Sequence, residues 1–271
     1  MPSRGVAVWQ AMDWPVQQKT LTITPLLGVP GIRPGDDLAA MLMAALDRNA
    51  IAARAGDILV VAQKIVSKAE GRYLDLDELQ PSPRARELAA ITRKDARLVE
   101  AVLSQSVEVI RAKPDVLIVA TLQGLILANA GIDQSNLEPE DHGRRVLLLP
   151  EDPDRSAAAL QARMADRFGT GIGVIISDSV GRPWRLGTVG LAIGAAGVAS
   201  LWDRRGEQDL SGRPLQVTEV AFADAVAAAA VLAMGEAAEG CPAALVRGLA
   251  CPAPERPAAA LLRPKSQDLF R

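Results

Sequence analysis

A carboxylate, a hydroxyl and two guanidiniums follow one another closely as Asp178, Ser179, Arg182 and Arg185. They come straight after residues 171–176, an apolar run that reads as a buried strand. Strand ends in α/β proteins gather ligands, because a rigid backbone there delivers side chains to an open crevice. A polar turn with a solvated arginine pair fits the same spacing equally well.

Two further stretches are polar in the same way. Residues 129–136 read Asn-Ala-Gly-Ile-Asp-Gln-Ser-Asn, where small residues around Gly131 permit close backbone approach and Asp133 and Asn136 offer hard oxygens and an amide. An Asx-rich turn would look alike. In residues 63–72, Lys64 and Lys68 lie four apart with Ser67 between them and Gln63 in front. Two such lysines could clamp phosphate oxygens as mobile point charges, although solvated lysines are the simpler reading. With two cysteines, Cys241 and Cys251, and one histidine, His142, a thiolate or imidazole metal site is excluded. His142 reads as a surface residue. Any metal would be held by oxygen, which selects magnesium, manganese or calcium. Acids beside cations suit the handling of a nucleoside triphosphate.

The elements that must position these groups alternate between strand and helix. Residues 21–25, 57–62, 107–111, 116–121, 123–128, 147–150 and 243–248 read as strands. Helical patterns cover residues 38–51, a pair within 82–108, residues 151–168 and a long Ala/Val segment, 218–234. Asp36 or Asp37, Asp152 and Asp154 read as helix caps. Residues 191–201, rich in Gly and Ala, suggest tight backbone packing and lack the Gly-x-Gly-x-x-Gly spacing; no P-loop is present. The 271 residues include about half apolar ones, enough for a sizeable core, and the net charge of −2 argues against nucleic acid as main partner. No leader and no membrane-spanning run are read, so a cytoplasmic protein in a reducing compartment is expected.

Taken together and in order, residues 63–70, 129–136 and 177–185 resemble the coenzyme F420-0:L-glutamate ligase family. The likeness spans residues 24–248 and includes Gly28-Val29-Pro30, Leu-Leu-Pro-x-Asp-Pro-Asp at 148–154 and Arg-Gly-x-x-Asp-x-x-Gly-Arg at 205–213. The resemblance implies a mixed α+β, non-Rossmann α/β fold, a single catalytic unit of two interlocked lobes over residues 1–271, a C-terminal tail from 252 and an intertwined homodimer. It implies GTP-dependent addition of L-glutamate to F420-0, and of γ-linked glutamate to the product, through an acyl phosphate. Two divalent ions, magnesium or manganese, would sit on Asp133, Asp178, Ser179 (where the family often has threonine) and Glu236; a potassium ion is left open. Leu27, Gly28, Val29, Pro30, Gln63, Lys64, Ser67, Lys68 and Asn136 would contact GTP, and Gly235 and Glu239 belong to a loop closing over it. Arg182 and Arg185 would join Asp133 and Asp178 in catalysis by binding acidic substrate groups. A ligase for another amino acid or acceptor, or a non-catalytic nucleotide-binding relative, are the alternatives. The second should have lost a metal acid or Lys68, and all three are present. Ligation alone is expected, because the chain is too short for the nitroreductase-like extension that some members carry.

Overall fold

Apolar runs that do not alternate need cover on both faces, and the central strands have it. The computed structural model describes residues 20–135, 141 and 143–268. In β2 (Ile58–Ala62), Leu59 and Val61 face one core while Ile58 and Val60 face another. The main sheet has the order β1 (Thr22–Pro25), β12 (Ala243–Arg247), β2, β8 (Gly173–Arg182), β9 (Arg185–Ala196). Only the β2–β8 pair is parallel. Helices α1 (Leu38–Arg48), α2 (Gln63–Ala69) and α5 (Pro153–Phe168) cover one face, and α6 (Phe222–Met234) covers the other.

A second unit packs beside this layer. Strands β4 (Ser106–Lys113), β5 (Val116–Thr121) and β6 (Ile126–Ala128) form an antiparallel sheet. Helices α3 (Pro83–Thr92) and α4 (Ala96–Ser104) bury Leu88, Val99 and Val102 against Leu117 and Val119 of β5. The two units are joined through β6, whose Leu127 lies in the core under α1 and α5 while its neighbour Ile126 is 42% exposed. Two short ribbons complete the description, β3 (Tyr73–Asp75) with β7 (Arg145–Leu147) and β10 (Leu201–Asp203) with β11 (Glu219–Ala221). No helix among the described residues is long and apolar enough to cross a membrane.

Several expectations change. The strand expected to end at residue 176 continues to Arg182 and turns at Pro183 and Trp184 into β9, so the polar stretch is one arm of a hairpin and the turn comes after it. Trp184 takes the left-handed backbone this tight turn needs, with φ 66°. The Ala/Val helix starts at Phe222, since residues 219–221 pair with β10. Strand β7 covers 145–147, not 147–150. Asp37 and Asp152 do cap helices, accepting from Ala40 N and Arg155 N at 3.0 Å. Asp154 does other work. Its carboxylate accepts backbone N–H groups from Ala195, Ala258 and Ala259 at 2.7–3.0 Å.

Through that carboxylate the C-terminal segment becomes a strap. Ser200 Oγ donates to Pro257 O at 2.6 Å, Leu262 packs over Gly124 and Lys265 pairs with Glu108 at 2.7 Å. The segment therefore runs from the main sheet to the small one.

The Gly/Ala-rich strand packs tightly, as its composition suggests. A Cβ on Gly190 would stand 2.6 Å from the carbonyl oxygen of Ala227 on α6, and one on Gly194 would meet the Pro153 carbonyl. Backbone cannot yield as a flexible side chain can. Gly190→Ala should therefore destabilise the fold by about 1–3 kcal/mol, read as a lower urea midpoint with an unchanged slope.

Candidate active-site cleft

Strand β2 ends at Ala62 opposite Ser177 of its parallel neighbour β8, which runs on beyond it to Arg182. The residues that follow, Gln63 and Lys64 at the exit of β2 and Asp178 and Ser179 in the part of β8 that outruns it, therefore open onto the same space. This is a cleft of about 1040 Å³ between the two units. Its floor is β8 and the start of α2, its far wall is Ile118 of β5 with Ile126 of β6, and its rim includes Val231, Met234 and the segment after α6.

Asp133 reaches the cleft from the second unit. Its backbone is pinned to β7 by a reciprocal pair, Asp133 N to Leu147 O and Leu147 N to Asp133 O, both 2.9 Å. Its Oδ1 accepts from Ser135 N at 2.7 Å, and Lys64 Nζ stands 2.9 Å from its Oδ2 while donating to Ser135 Oγ at 2.7 Å. The lysine approaches Oδ2 off the hydrogen-bonding direction, so this buried oxygen has ionic contact but no donor. The Asn129 Oδ1 is likewise buried without a donor. Asn129 and Ala130 both adopt left-handed backbone, φ 51° and 56°, to make the turn that delivers Asp133.

Asp178 is held protonated to unusually high pH. Burial raises its pKa from 3.8 to about 7, opposed by the Ser179 N–H donating to its Oδ1 at 2.9 Å and by Lys64; the neighbouring charges of Asp133 and Glu236 push it further up. By solvent accessibility the residue is half-buried, since one side meets the cleft. Protein atoms crowd the carboxylate from the other sides, and that desolvation dominates.

Glu236 belongs to the loop after α6. Its Oε1 accepts from Ser179 Oγ at 2.8 Å, and Glu239 folds the loop by accepting from Ala237 N at 2.8 Å. Gly235, with φ 83°, leaves room for the Glu239 side chain.

The cleft does not gather every residue singled out from sequence. Asp133, Asp178, Ser179, Glu236, Gln63, Lys64, Lys68, Arg182, Gly235, Glu239, Val29 and Pro30 line it. Leu27 and Gly28 are instead tied to α1, by Asn49 and by a hydrogen bond from Arg48 to Gly28 O. Ser67 is fully buried and donates to Gln63 Oε1 at 2.9 Å, because it sits on the inward face of α2. Its hydroxyl cannot reach phosphate from there. Arg185 lies past the hairpin turn and does not line the cleft, whereas Arg182 does. Gly131 lines the cleft with φ 69°, and Leu149 occupies the space a Cβ there would need. The loop at 205–213 closes on itself through Asp209, which accepts from Ser211 N and Arg213 N, and it too lies outside the cleft lining. Asn136 and His142 lie outside the described residues. Cys241 lines the cleft at the end of the loop, residues 234–241, that the resemblance closes over the nucleotide. Sequence reading missed the β4–β6 wall; its signal is the exposed Ile126 and Ala128 on either side of buried Leu127.

The family model for F420-0:gamma-glutamyl ligase matches residues 27–248, which contain all these cleft residues. The chain belongs to that family. It is 46% identical over 259 residues to the coenzyme F420:L-glutamate ligase of Methanopyrus kandleri, covering 93% of this chain and 98% of that one. To the protein of the same name from Methanothermobacter thermautotrophicus it is 46% identical over 249 residues, 90% and 96% of the two chains. With the Methanocaldococcus jannaschii protein it shares 44% over 216 residues, 80% and 85%. Family membership makes the two acids a candidate metal site, and their chemistry fits. Asp133 and Asp178 are hard oxygen donors, one with an orphaned oxygen and the other desolvated. No group of three His, Cys, Asp or Glu that could hold a metal is found among the described residues. A divalent ion here would thus take its remaining ligands from water and substrate, the habit of magnesium in phosphate-handling sites.

Proposed function

We propose that this protein joins L-glutamate to coenzyme F420-0, and γ-linked glutamate to the product, at the expense of GTP. What supports this is the meeting of two acids, Asp133 and Asp178, with Lys64, Lys68 and Arg182 in one cleft of a chain from this ligase family. A carboxylate is a poor electrophile until one of its oxygens leaves as phosphate. The γ-phosphoryl group therefore passes to the acceptor's carboxylate as GDP departs, and the glutamate amine attacks the acyl carbon, expelling phosphate.

The chain's own residues supply positioning. Lys64 and Lys68 attract the phosphates as mobile charges, and Arg182 offers a planar fork to a substrate carboxylate. Ile118, Ile126 and Val180 give the cleft an apolar lining that limits water near the acyl phosphate. Magnesium or manganese on Asp133 and Asp178, with Ser179 and Glu236 nearby, would neutralise phosphate charge, and a potassium ion is compatible with the same oxygen-rich surface. We place the enzyme in the cytoplasm and take it to be a homodimer, in keeping with Leu186 at the hairpin tip and Leu232 on α6, 97% and 88% exposed.

The experiment is incubation with F420-0, L-glutamate, GTP and manganese, followed by mass spectrometry. A product heavier by one glutamate residue, with GDP release, is expected, and chelation of the metal should abolish both. GDP release without a glutamylated product would assign another acceptor, and neither signal would overturn the reading.

A further inference from the structure

The cation in contact with Asp133 is a side chain of the protein itself. Lys64 Nζ stands 2.9 Å from Asp133 Oδ2, steadied by its hydrogen bond to Ser135 Oγ at 2.7 Å. The other oxygen, Oδ1, is occupied by the Ser135 N–H. The oxygen without a hydrogen-bond donor, Oδ2, is the one the ammonium attends, so a divalent ion approaching it meets a positive charge, and two cations cannot crowd one buried oxygen without strong repulsion. Lys64 is 34% exposed and hangs on a flexible four-carbon stem, so it is free to turn within the cleft. Meanwhile no three-carboxylate cage is found among the described residues, and Glu236 is engaged by the Ser179 hydroxyl. An ion held by so few protein oxygens draws its remaining affinity from phosphate.

We infer that Lys64 is a resident counter-cation that keeps divalent metal off Asp133 until nucleotide phosphates draw its ammonium away, so that metal and nucleotide bind as a coupled pair. The inference rests on the reading of the cleft as a metal and GTP site. It makes Lys64 a positioning residue acting through Asp133. By reciprocity, the factor by which nucleotide tightens metal binding equals that by which metal tightens nucleotide binding.

The test follows free Mn²⁺ by electron paramagnetic resonance as the ion is titrated into the protein. It is run alone and with a saturating β,γ-imido analogue of GTP, after correction for Mn²⁺ held by the analogue in solution. Lys64→Met should bind Mn²⁺ without nucleotide about tenfold more tightly than the unaltered protein, and the enhancement given by the analogue should shrink by a similar factor. Lys64→Arg keeps the positive charge and should retain weak binding of the ion alone. Thermal melts establish that each variant is folded, and Lys64→Gln repeats the measurement should the methionine variant fail to fold. If Asp133→Asn weakens Mn²⁺ binding while Lys64→Met leaves it unchanged or weaker, the counter-cation role is overturned and the metal site stands. If Asp133→Asn has no effect on Mn²⁺ binding, the metal site at Asp133 is overturned and the inference with it.

Discussion

Replacing Asp178 by asparagine should lower glutamate ligation about a thousandfold or more while making the metal-free protein more stable at alkaline pH. The loss follows from the proposed chemistry, because a ligand to the charge-neutralising ion contributes several kcal/mol to the transition state and each 1.36 kcal/mol is tenfold in rate. The gain follows from the pKa. Asp178 titrates near 7 in the folded protein and near 3.8 unfolded, so the folded state binds the extra proton between those values. Stability associated with this group is therefore full below about 4, falls as pH rises and is lost above about 7. Asparagine carries no such charge, and the cleft still wets one side of the carboxylate. The variant should thus exceed the parent at pH 8 by on the order of 1–3 kcal/mol, with the difference vanishing near pH 4. Urea unfolding in the presence of a chelator at the two pH values measures it. Equal stability at pH 8 would mean that Asp178 is better solvated than its surroundings suggest. Undiminished ligation would remove it from the site.

Arg247→Ala should have the opposite profile, with stability lost and chemistry kept. Asp57 is almost wholly buried where the chain enters β2, and Arg247 reaches it from β12 with Nε at 2.8 Å and Nη2 at 2.6 Å. The same Nη2 donates to Ala52 O at 2.8 Å. Without the guanidinium, Asp57 would keep, among the described residues, the Arg54 N–H at 2.8 Å, leaving a buried carboxylate with its charge unanswered. Breaking such a pair costs about 3–5 kcal/mol, although the partly exposed arginine places this one toward the lower figure. The pair lies at the end of β2 opposite the cleft, so kcat/KM measured well below the melting temperature should stay within about threefold of the parent, a factor that corresponds to well under 1 kcal/mol. Asp57→Asn combined with Arg247→Leu should recover part of the loss, since replacing both charges is milder than stranding one.

What was legible beforehand depended on how local the signal was. The unbroken apolar run in β2 required cover on both faces, and α1, α2 and α5 on one side with α6 on the other provide it. Asp37 and Asp152 were readable as caps because a cap acts on N–H groups two or three residues ahead. Asp154 was misread for the same reason, since its three donors come from β9 and the C-terminal strap, far along the chain. Ser67 looked like a phosphate ligand between two lysines, but helical geometry turns it inward while Lys64 and Lys68 face the cleft. The strand looked as if it ended at residue 176 in a polar turn, because glycine, proline and charge usually mark one; pairing with β9 keeps the stretch extended to Arg182.

By itself, then, the sequence determined the helix and strand repertoire, the oxygen-only character of any metal site and membership in a ligase family whose motifs arrive in order. Periodicity and motif are properties of neighbouring residues, and they survive without knowledge of the rest of the chain. The tertiary structure alone decided that Asp133, carried by a strained turn pinned to β7, shares a cleft with Asp178 of β8, with Lys64 in contact with the first and its charge felt by the second. It alone decided that the wall opposite them comes from β5 and β6. Such encounters depend on how separate packed units dock, and their energies come from burial and charge across distant segments, which no local pattern of residues encodes.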